Sequence, residues 1–349
     1  MGTVLVFSGP RRVEFAEEAE APLAADEVRV RTLYSGISAG TELTAYSGTN
    51  PYLHKGWDGE RRLFIGGAES GPAYPLVGWG YEEVGQIVEV GAATSDLAVG
   101  QRVYGVWGHR TRHALRAEYA RPRMLPPQLD PLLGIFSNIG AIAFNGILDA
   151  QINLGETVAV FGLGVVGQLV AQLARLSGAR VIAVDLLPAR RELAQRLGAD
   201  HTSDGRGAAE QIKALTGQRG ADVCVEASGS AAALHEAIRA AAYGSRVVAM
   251  GFFQGEARQL FLGEEFHHNR IALVCSQISG VSPALQHRWD RLRLTTSFMD
   301  LAATGRLELQ PLISHVRPFR EAAALFEQIE RRPEEVMQAV LRFDEEETP

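Results

Sequence analysis

Hydrophobic and polar residues alternate with two different rhythms along the chain. Before about Leu132 the pattern has period two, as in Glu27-Val-Arg-Val-Arg-Thr, Gln86-Ile-Val-Glu-Val and Gly100-Gln-Arg-Val-Tyr-Gly-Val. Glycine and proline separate these runs, which predicts short β-strands joined by turns. Beyond Leu132 the apolar runs lengthen and helical spacing appears between them. Val158–Phe161, Val181–Val184, Val223–Ala227 and Arg246–Met250 read as buried strands. Gln168–Ser177, Arg190–Leu197 and Ala231–Ala242 read as the helices that connect them. This β-α-β alternation predicts a doubly wound parallel sheet with helices on both faces. From about Ser279 the chain returns to mixed helix and strand and ends in a solvated acidic tail, Asp344-Glu-Glu-Glu. The stretch from Ser47 to Leu76 has no clear period and reads as a long loop, a feature uncommon in compact domains and often functional.

The strongest local signal is Val158-Ala-Val-Phe-Gly-Leu-Gly-Val-Val-Gly-Gln, a G-x-G-x-x-G between strand and helix. Gly162 permits the tight turn, Gly164 lets the backbone approach a pyrophosphate, and Gly167 lets helix and strand pack closely. Val165 and Val166 open a helix whose N-terminal N–H groups face an anion. Asp185 ends the next strand, about 20 residues on, where a carboxylate holds the adenosine ribose hydroxyls. A carboxylate there repels a 2′-phosphate, and Leu186 and Leu187 offer no cation to receive one, so NAD is favoured over NADP. Arg190 and Arg191 fit the first turn of the following helix and soften that preference.

Composition narrows the remaining classes. A chain of 349 residues suits two domains, and 46% apolar with 21% charged residues is ordinary globular usage. A net charge of -7 argues against nucleic-acid and membrane-surface partners. Lys55 and Lys213 are the only lysines, so any lysine-based chemistry must use one of them. Cys224 and Cys275, the only cysteines, sit in apolar strand-like runs and read as buried thiols; their number excludes a disulfide framework and a multi-cysteine zinc lobe. The charge-free stretch 157–174 parses as strand, turn and helix rather than a membrane span. The start lacks a signal peptide's basic opening and long apolar core, and the expected location is the cytoplasm.

Over nearly its whole length the chain resembles the medium-chain dehydrogenase/reductase superfamily. The matching landmarks are Ser35-Gly-Ile-Ser-Ala-Gly-Thr-Glu, Gly80-Tyr-Glu-Glu-Val-Gly-Gln-Ile-Val-Glu-Val-Gly, Gly100-Gln-Arg-Val, the Gly162 motif, Leu197-Gly-Ala-Asp and Glu226-Ala-Ser-Gly. The resemblance implies a Rossmann α/β domain over 139–276, inserted into a GroES-like β-rich domain formed by 1–138 plus 277–349. It also implies a cleft between the two, a homodimer, and Ser228 beside the cofactor. Within the superfamily, the Ser35 and Gly80 motifs are similar to the branch containing hydroxyethyl-bacteriochlorophyllide dehydrogenase. The long 47–76 insert departs from that branch.

Zinc-dependent members carry Gly-His-Glu at Gly80-Tyr81-Glu82, a cysteine at Ser38 and a third ligand near Asn138. Zinc takes thiolate, imidazole or carboxylate ligands, and Ser38, Tyr81 and Asn138 offer none, so no metal is expected. His54, His109 and His113 have no spacing that would improvise one. Hydride transfer at an alcohol carbon then needs a hydrogen-bond donor for the oxygen. Tyr81 is the leading candidate, tuned downward by its neighbours, with Ser38, Thr41 and Asn138 completing a neutral donor cluster and Glu82 in support. Lys55 is a candidate for lowering the phenol pKa. Trp79 and Trp107 are placed to stack on a ring-shaped substrate or simply to pack. The expected function is an NAD-dependent, zinc-independent dehydrogenase acting on a secondary alcohol or its ketone. A zinc-free enone or quinone double-bond reductase and a non-catalytic NAD(H)-binding protein are the alternatives.

Overall fold

The computed structural model describes residues 1–66 and 71–344, in two compact units. One contains residues 1–138 and 313–349, the other 139–312.

The first unit is β-rich. Strands Arg12–Glu18, Gly2–Gly9 and Leu76–Val77 form an antiparallel sheet in that order. A larger sheet runs Ile313–Pro318, Gln338–Arg342, Glu27–Ile37, Glu83–Val90 and Arg102–Gly105, with Arg112–Arg116 pairing a second time onto Glu27–Ile37. The strand from the C-terminal part lies antiparallel to the early one, with Ala339 opposite Ile37, so the end of the chain closes the sheet that its beginning opened. Alternating residues of these strands fill two cores. Phe7, Ile37, Phe326 and Leu341 lie in one, where the Phe7 and Phe326 rings meet edge to face at 5.2 Å. Val28, Val30, Ile87, Val103 and Trp107 lie in the other. Full burial of side chains of this size contributes about 1.5–3 kcal/mol each.

The 47–76 stretch is not the structureless loop expected. Helix Glu42–Ser47 enters it, a helical turn follows at Pro51–Leu53, and Lys55–Asp58 pairs with Leu63–Gly66 in an antiparallel hairpin. Both faces of that hairpin are largely exposed, so no buried side imposes period two on its sequence. Residues 67–70 of the stretch, and the acidic tail beyond Asp344, lie outside the described residues.

The second unit is a six-stranded parallel sheet. Its strands in chain order are Thr157–Phe161, Arg180–Val184, His201–Ser203, Ala221–Glu226, Ala241–Ala249 and Ala272–Cys275. Their spatial order is third, second, first, fourth, fifth, sixth, the doubly wound Rossmann arrangement, with its switch point between Thr157–Phe161 and Ala221–Glu226. The connecting helices are Val165–Leu176, Pro188–Arg196, Ala208–Leu215 and Ala231–Ala240. The short strand His201–Ser203 and the helix Ala208–Leu215 were not among the elements read from the sequence.

Two expectations fail here. The C-terminal return comes at Ile313 rather than residue 277, because helix Arg291–Ala303 belongs to the second unit. Its Phe298 ring packs so tightly against Gly140 that a Cβ there would lie 2.2 Å away. Cys275 is exposed rather than buried, since Ala272–Cys275 is the edge strand of its sheet; Cys224, on an inner strand, is buried.

Candidate functional site

The glycine-rich turn sits at the carboxyl end of strand Thr157–Phe161, where open α/β sheets bind ligands. Gly162 has φ +86°, and a Cβ there would lie 2.6 Å from Ser228, which follows the neighbouring strand. A Cβ on Gly167 would lie 1.8 Å from the Gly162 carbonyl oxygen, so this glycine is demanded by helix–strand packing. Gly164 differs: nothing lies within 4 Å of the place its Cβ would take. It caps helix Val165–Leu176 with no side chain bonding the first-turn N–H groups, and Val165 and Val166 form that turn. Space beside Gly164 and a helix start without a side-chain cap are what a pyrophosphate needs.

Asp185 is drawn into this turn. Its Oδ2 accepts from Leu163 N at 2.7 Å and its Oδ1 from Leu187 N at 2.8 Å. Arg190 Nη1 lies 3.8 Å from the same carboxylate, and Arg191 Nη1 donates to the carbonyl oxygens of Asp185 and Leu186. Glu226, fully buried at the end of the adjacent strand, accepts from Ser228 N at 2.7 Å and Gly229 N at 3.1 Å. That clamp holds Ser228 over Gly162. The cofactor residues named from the sequence therefore converge on one place, and Glu226 joins them as the carboxylate that shapes the turn.

The first unit holds the second polar site. Strand Glu27–Ile37 ends in the turn carrying Ser38 and Thr41, and Tyr81 directly precedes strand Glu83–Val90. These strands pair with Ser35 opposite Glu83, which brings the two motifs side by side. Tyr81 donates its phenolic hydrogen to Ser38 Oγ, which also accepts from Thr41 N at 3.4 Å. Asn138 is buried in the first turn of helix Phe136–Ala150. The expected downward tuning of Tyr81 is reversed: burial, then the nearby Glu82 and Glu42, push the phenol well above its ordinary value. Lys55 lies exposed on the hairpin and does not figure among these influences.

Beneath the Tyr81–Ser38 pair lie four fully buried groups that the sequence reading did not assemble: Ser35, Glu42, Glu83 and His109. Glu82 is also fully buried; its Oε2 accepts from Gln338 Nε2 at 3.0 Å, while its Oε1 has no hydrogen-bond partner among the described residues. Burial, with Glu42 and Glu83 nearby, raises the Glu82 carboxyl well above the usual range. Three acids within short motifs were the available signal, but only strand pairing shows that they meet.

Trp107 is buried and gives its indole N–H to Thr32 Oγ1 at 2.9 Å, and Trp79 packs with part of its surface against the Phe7 core. Trp107 is thus closed to stacking, while Trp79 is half-buried. The exposed indole is instead Trp57 on the hairpin.

Ser38, Tyr81 and Asn138 do not fit a zinc ion. They present a serine hydroxyl already accepting two hydrogen bonds, a phenol held protonated, and a neutral amide. The three histidines considered as substitutes are apart in role. His54 bonds the Gly48 carbonyl, His109 lies between Glu42 and Ser35, and His113 sits within strand Arg112–Arg116. Among the described residues, ligand-bearing side chains come within 4.8 Å of one another in a group of three only at His235, Glu264 and Glu265, in the second unit.

The sequence profile of the zinc-binding dehydrogenases matches residues 165–293, within the nucleotide-binding unit. D-Guloside 3-dehydrogenase of Shigella flexneri is 30% identical over 347 residues, spanning 97% of this chain and 99% of its own. L-Galactonate-5-dehydrogenase of Escherichia coli strain K12 is 25% identical over 371 residues, spanning 97% of this chain and 98% of its own. Among solved structures, alcohol dehydrogenase TADH from Thermus sp. ATN1 superposes with a TM-score of 0.76 at 25% identity, covering 98% of this chain and 100% of that one. With a glycine-rich turn in one unit and a hydroxyl cluster in the other, on a fold shared from end to end with these enzymes, the chain belongs to the zinc-binding dehydrogenase family of medium-chain dehydrogenases/reductases and is an oxidoreductase acting on alcohols.

Proposed function

We propose that this protein is an NAD-dependent dehydrogenase that works without zinc, transferring a hydride between a secondary hydroxyl of a sugar or sugar acid, or the matching ketone, and nicotinamide. The observation that carries the reading is the Tyr81–Ser38 hydrogen bond at the two positions where zinc-dependent relatives place a histidine and a cysteine. Two hydroxyl hydrogens share one mutual contact. The second is the one the site presents to a substrate oxygen. With its phenol held protonated, Tyr81 stays a donor to Ser38, so the pair can stabilise charge that builds on the substrate oxygen without either hydroxyl ionising. The proton that completes the alcohol in carbonyl reduction comes from water and in alcohol oxidation returns there, while the pair holds the oxygen by hydrogen bonds in both directions.

NAD, when bound, accepts or supplies the hydride. Support for NAD over NADP comes from Asp185, whose carboxylate lies under the turn and already engages Arg190, leaving a 2′-phosphate facing a negative group. Support for a sugar-like substrate comes from the D-guloside and L-galactonate enzymes, both named for oxidising a secondary hydroxyl of a polyhydroxylated molecule.

The test is the absorbance change of the dinucleotide, with NAD supplied to glycosides, aldonates and simple secondary alcohols and NADH supplied to the matching ketones and to enones. Turnover of glycosides or aldonates with NAD supports the proposal. Turnover of enones alone, or tight NADH binding with no turnover on any member, contradicts it.

A further inference from the structure

The hydrogen-bonded chain beneath Tyr81 and Ser38 is given no contact with the substrate oxygen in the chemistry proposed above. His109 Nε2 lies 2.6 Å from Glu42 Oε2, and His109 Nδ1 lies 2.7 Å from Ser35 Oγ. Ser35 Oγ in turn lies 3.1 Å from Glu83 Oε1. Both ends are fixed to main chain: Glu42 Oε1 accepts from Ser38 N at 3.1 Å, and Glu83 Oε2 from Trp107 N at 2.8 Å.

A serine–histidine–carboxylate row has the order of a nucleophilic triad. Here Ser35 is sealed, with no exposed surface, and its hydroxyl also bonds the second carboxyl, so it reaches no substrate. The row is better understood by counting hydrogens. Its three inner contacts need three. Ser35 supplies one, and the other two come from both nitrogens of a charged His109, or from one nitrogen and one carboxyl. Either way two carboxyls and one imidazole share the same number of protons and keep one negative charge, and no contact is left without a hydrogen. Although burial works against the imidazolium, Glu42 and Glu83 outweigh it and hold His109 above its ordinary value.

The row spans three separate segments: the turn from Ser35 to Glu42, the Tyr81–Glu83 segment and the Trp107–His109 segment. We infer that His109 is a positioning residue: it holds Glu42 and Ser35, at the two ends of the Ser38 turn, to its own segment. Ser35 and Trp107 N in turn hold Glu83 of the Tyr81 segment, so the row fixes Ser38 against Tyr81 as a central ion would tie ligands drawn from separate stretches of chain. The inference rests on the reading of Tyr81 and Ser38 as the donor pair. It adds what sets their spacing.

The physical consequence is strong coupling between Glu42 and His109. Removing one leaves the other as an unpaired charge in a sealed site, whereas replacing both by neutral amides leaves a bonded pair. The test is a four-protein cycle of wild type, Glu42→Gln, His109→Gln and the double variant, measuring kcat, the dissociation constant for NADH and the thermal unfolding midpoint. Each single variant is expected to lose about 100-fold in kcat, the scale of a small misplacement at a reacting centre. The double variant is expected to exceed either single variant at least about tenfold, a non-additivity diagnostic of contact. NADH affinity should hold throughout, because the nucleotide turn belongs to the other unit.

Losses that multiply in the double variant overturn the inference. So do single variants that unfold more easily yet turn over at the wild-type rate, since that is the behaviour of a merely structural chain. If the single variants do not fold, a folded and active double variant supports the inference and an unfolded one overturns it. Tyr81→Phe is measured alongside. Full activity there removes the donor reading, while the unfolding midpoints of the cycle still report whether the chain is coupled.

Discussion

Tyr81 and Ser38, 43 positions apart in the chain, are joined by a hydrogen bond from phenol to hydroxyl. The contact exists because Ser35 and Glu83 are cross-strand partners, so the residues just beyond each strand end meet. Burial beside Glu82 and Glu42 keeps the phenol protonated across the neutral range. A group in that state gives hydrogen bonds to developing negative charge rather than taking protons from solvent.

Removing that hydroxyl therefore has a defined signature. Tyr81→Phe should lower kcat about 100-fold, the scale on which losing one donor to developing charge acts. NADH affinity, measured by fluorescence titration, should not change, because the glycine-rich turn lies in the other unit.

The glycines of the turn separate packing from ligand space. Gly164→Ala should fold with a near wild-type melting temperature, since open space surrounds the new methyl group, yet weaken NADH binding at least about tenfold by crowding the pyrophosphate. Gly167→Ala should instead lower the melting temperature, because its Cβ would meet the Gly162 carbonyl at 1.8 Å. Equal melting temperatures for the two variants would show that the turn is not packed as described.

Asp185 governs the choice of dinucleotide. Asp185→Asn removes the charge that opposes a 2′-phosphate while keeping a hydrogen-bonding side chain over Leu163 and Leu187. The ratio of NADPH to NADH dissociation constants should fall at least about tenfold, which corresponds to about 1.4 kcal/mol. An unchanged ratio would relocate the discrimination to another residue.

Much of this site was legible in the sequence, and the reason differs by region. The nucleotide turn was readable because its main constraints are local: Gly162 is demanded by its own positive φ, Gly167 by the Gly162 carbonyl of the same strand–turn–helix unit, and Asp185 ends the next strand. Tyr81 and Ser38 were readable as candidates only through family resemblance, because the strand register that joins them is not local. The Glu42–His109–Ser35–Glu83 row was missed for the same reason, as its members come from three segments. The hairpin Lys55–Asp58 and Leu63–Gly66 escaped because its exposed faces impose no alternation, and Cys275 was misplaced because its run does not reveal which strand lies at the sheet edge.

One pH dependence follows from a residue away from the chemistry. His113, on strand Arg112–Arg116, is pushed down to about 4 by burial and by the Arg110 guanidinium. Unfolded, the same imidazole titrates near its ordinary value of about 6.5. The folded state thus binds fewer protons between these values, and the contribution present at neutral pH is lost as pH falls from about 6.5 towards 4. His113→Gln should flatten the decline of the urea midpoint between pH 7 and pH 4.5. A decline as steep as in wild type would assign the acid sensitivity elsewhere.

The central claim is that a neutral hydroxyl pair does the work of zinc in a family named for that metal. The most direct measurement is the rate of NAD reduction, on the best sugar substrate of the panel, by protein stripped with a chelator and assayed for zinc by elemental analysis. The account predicts full turnover with far less than one zinc per chain, and loss of that turnover in Tyr81→Phe. Activity that disappears on stripping and returns with one equivalent of zinc would contradict it.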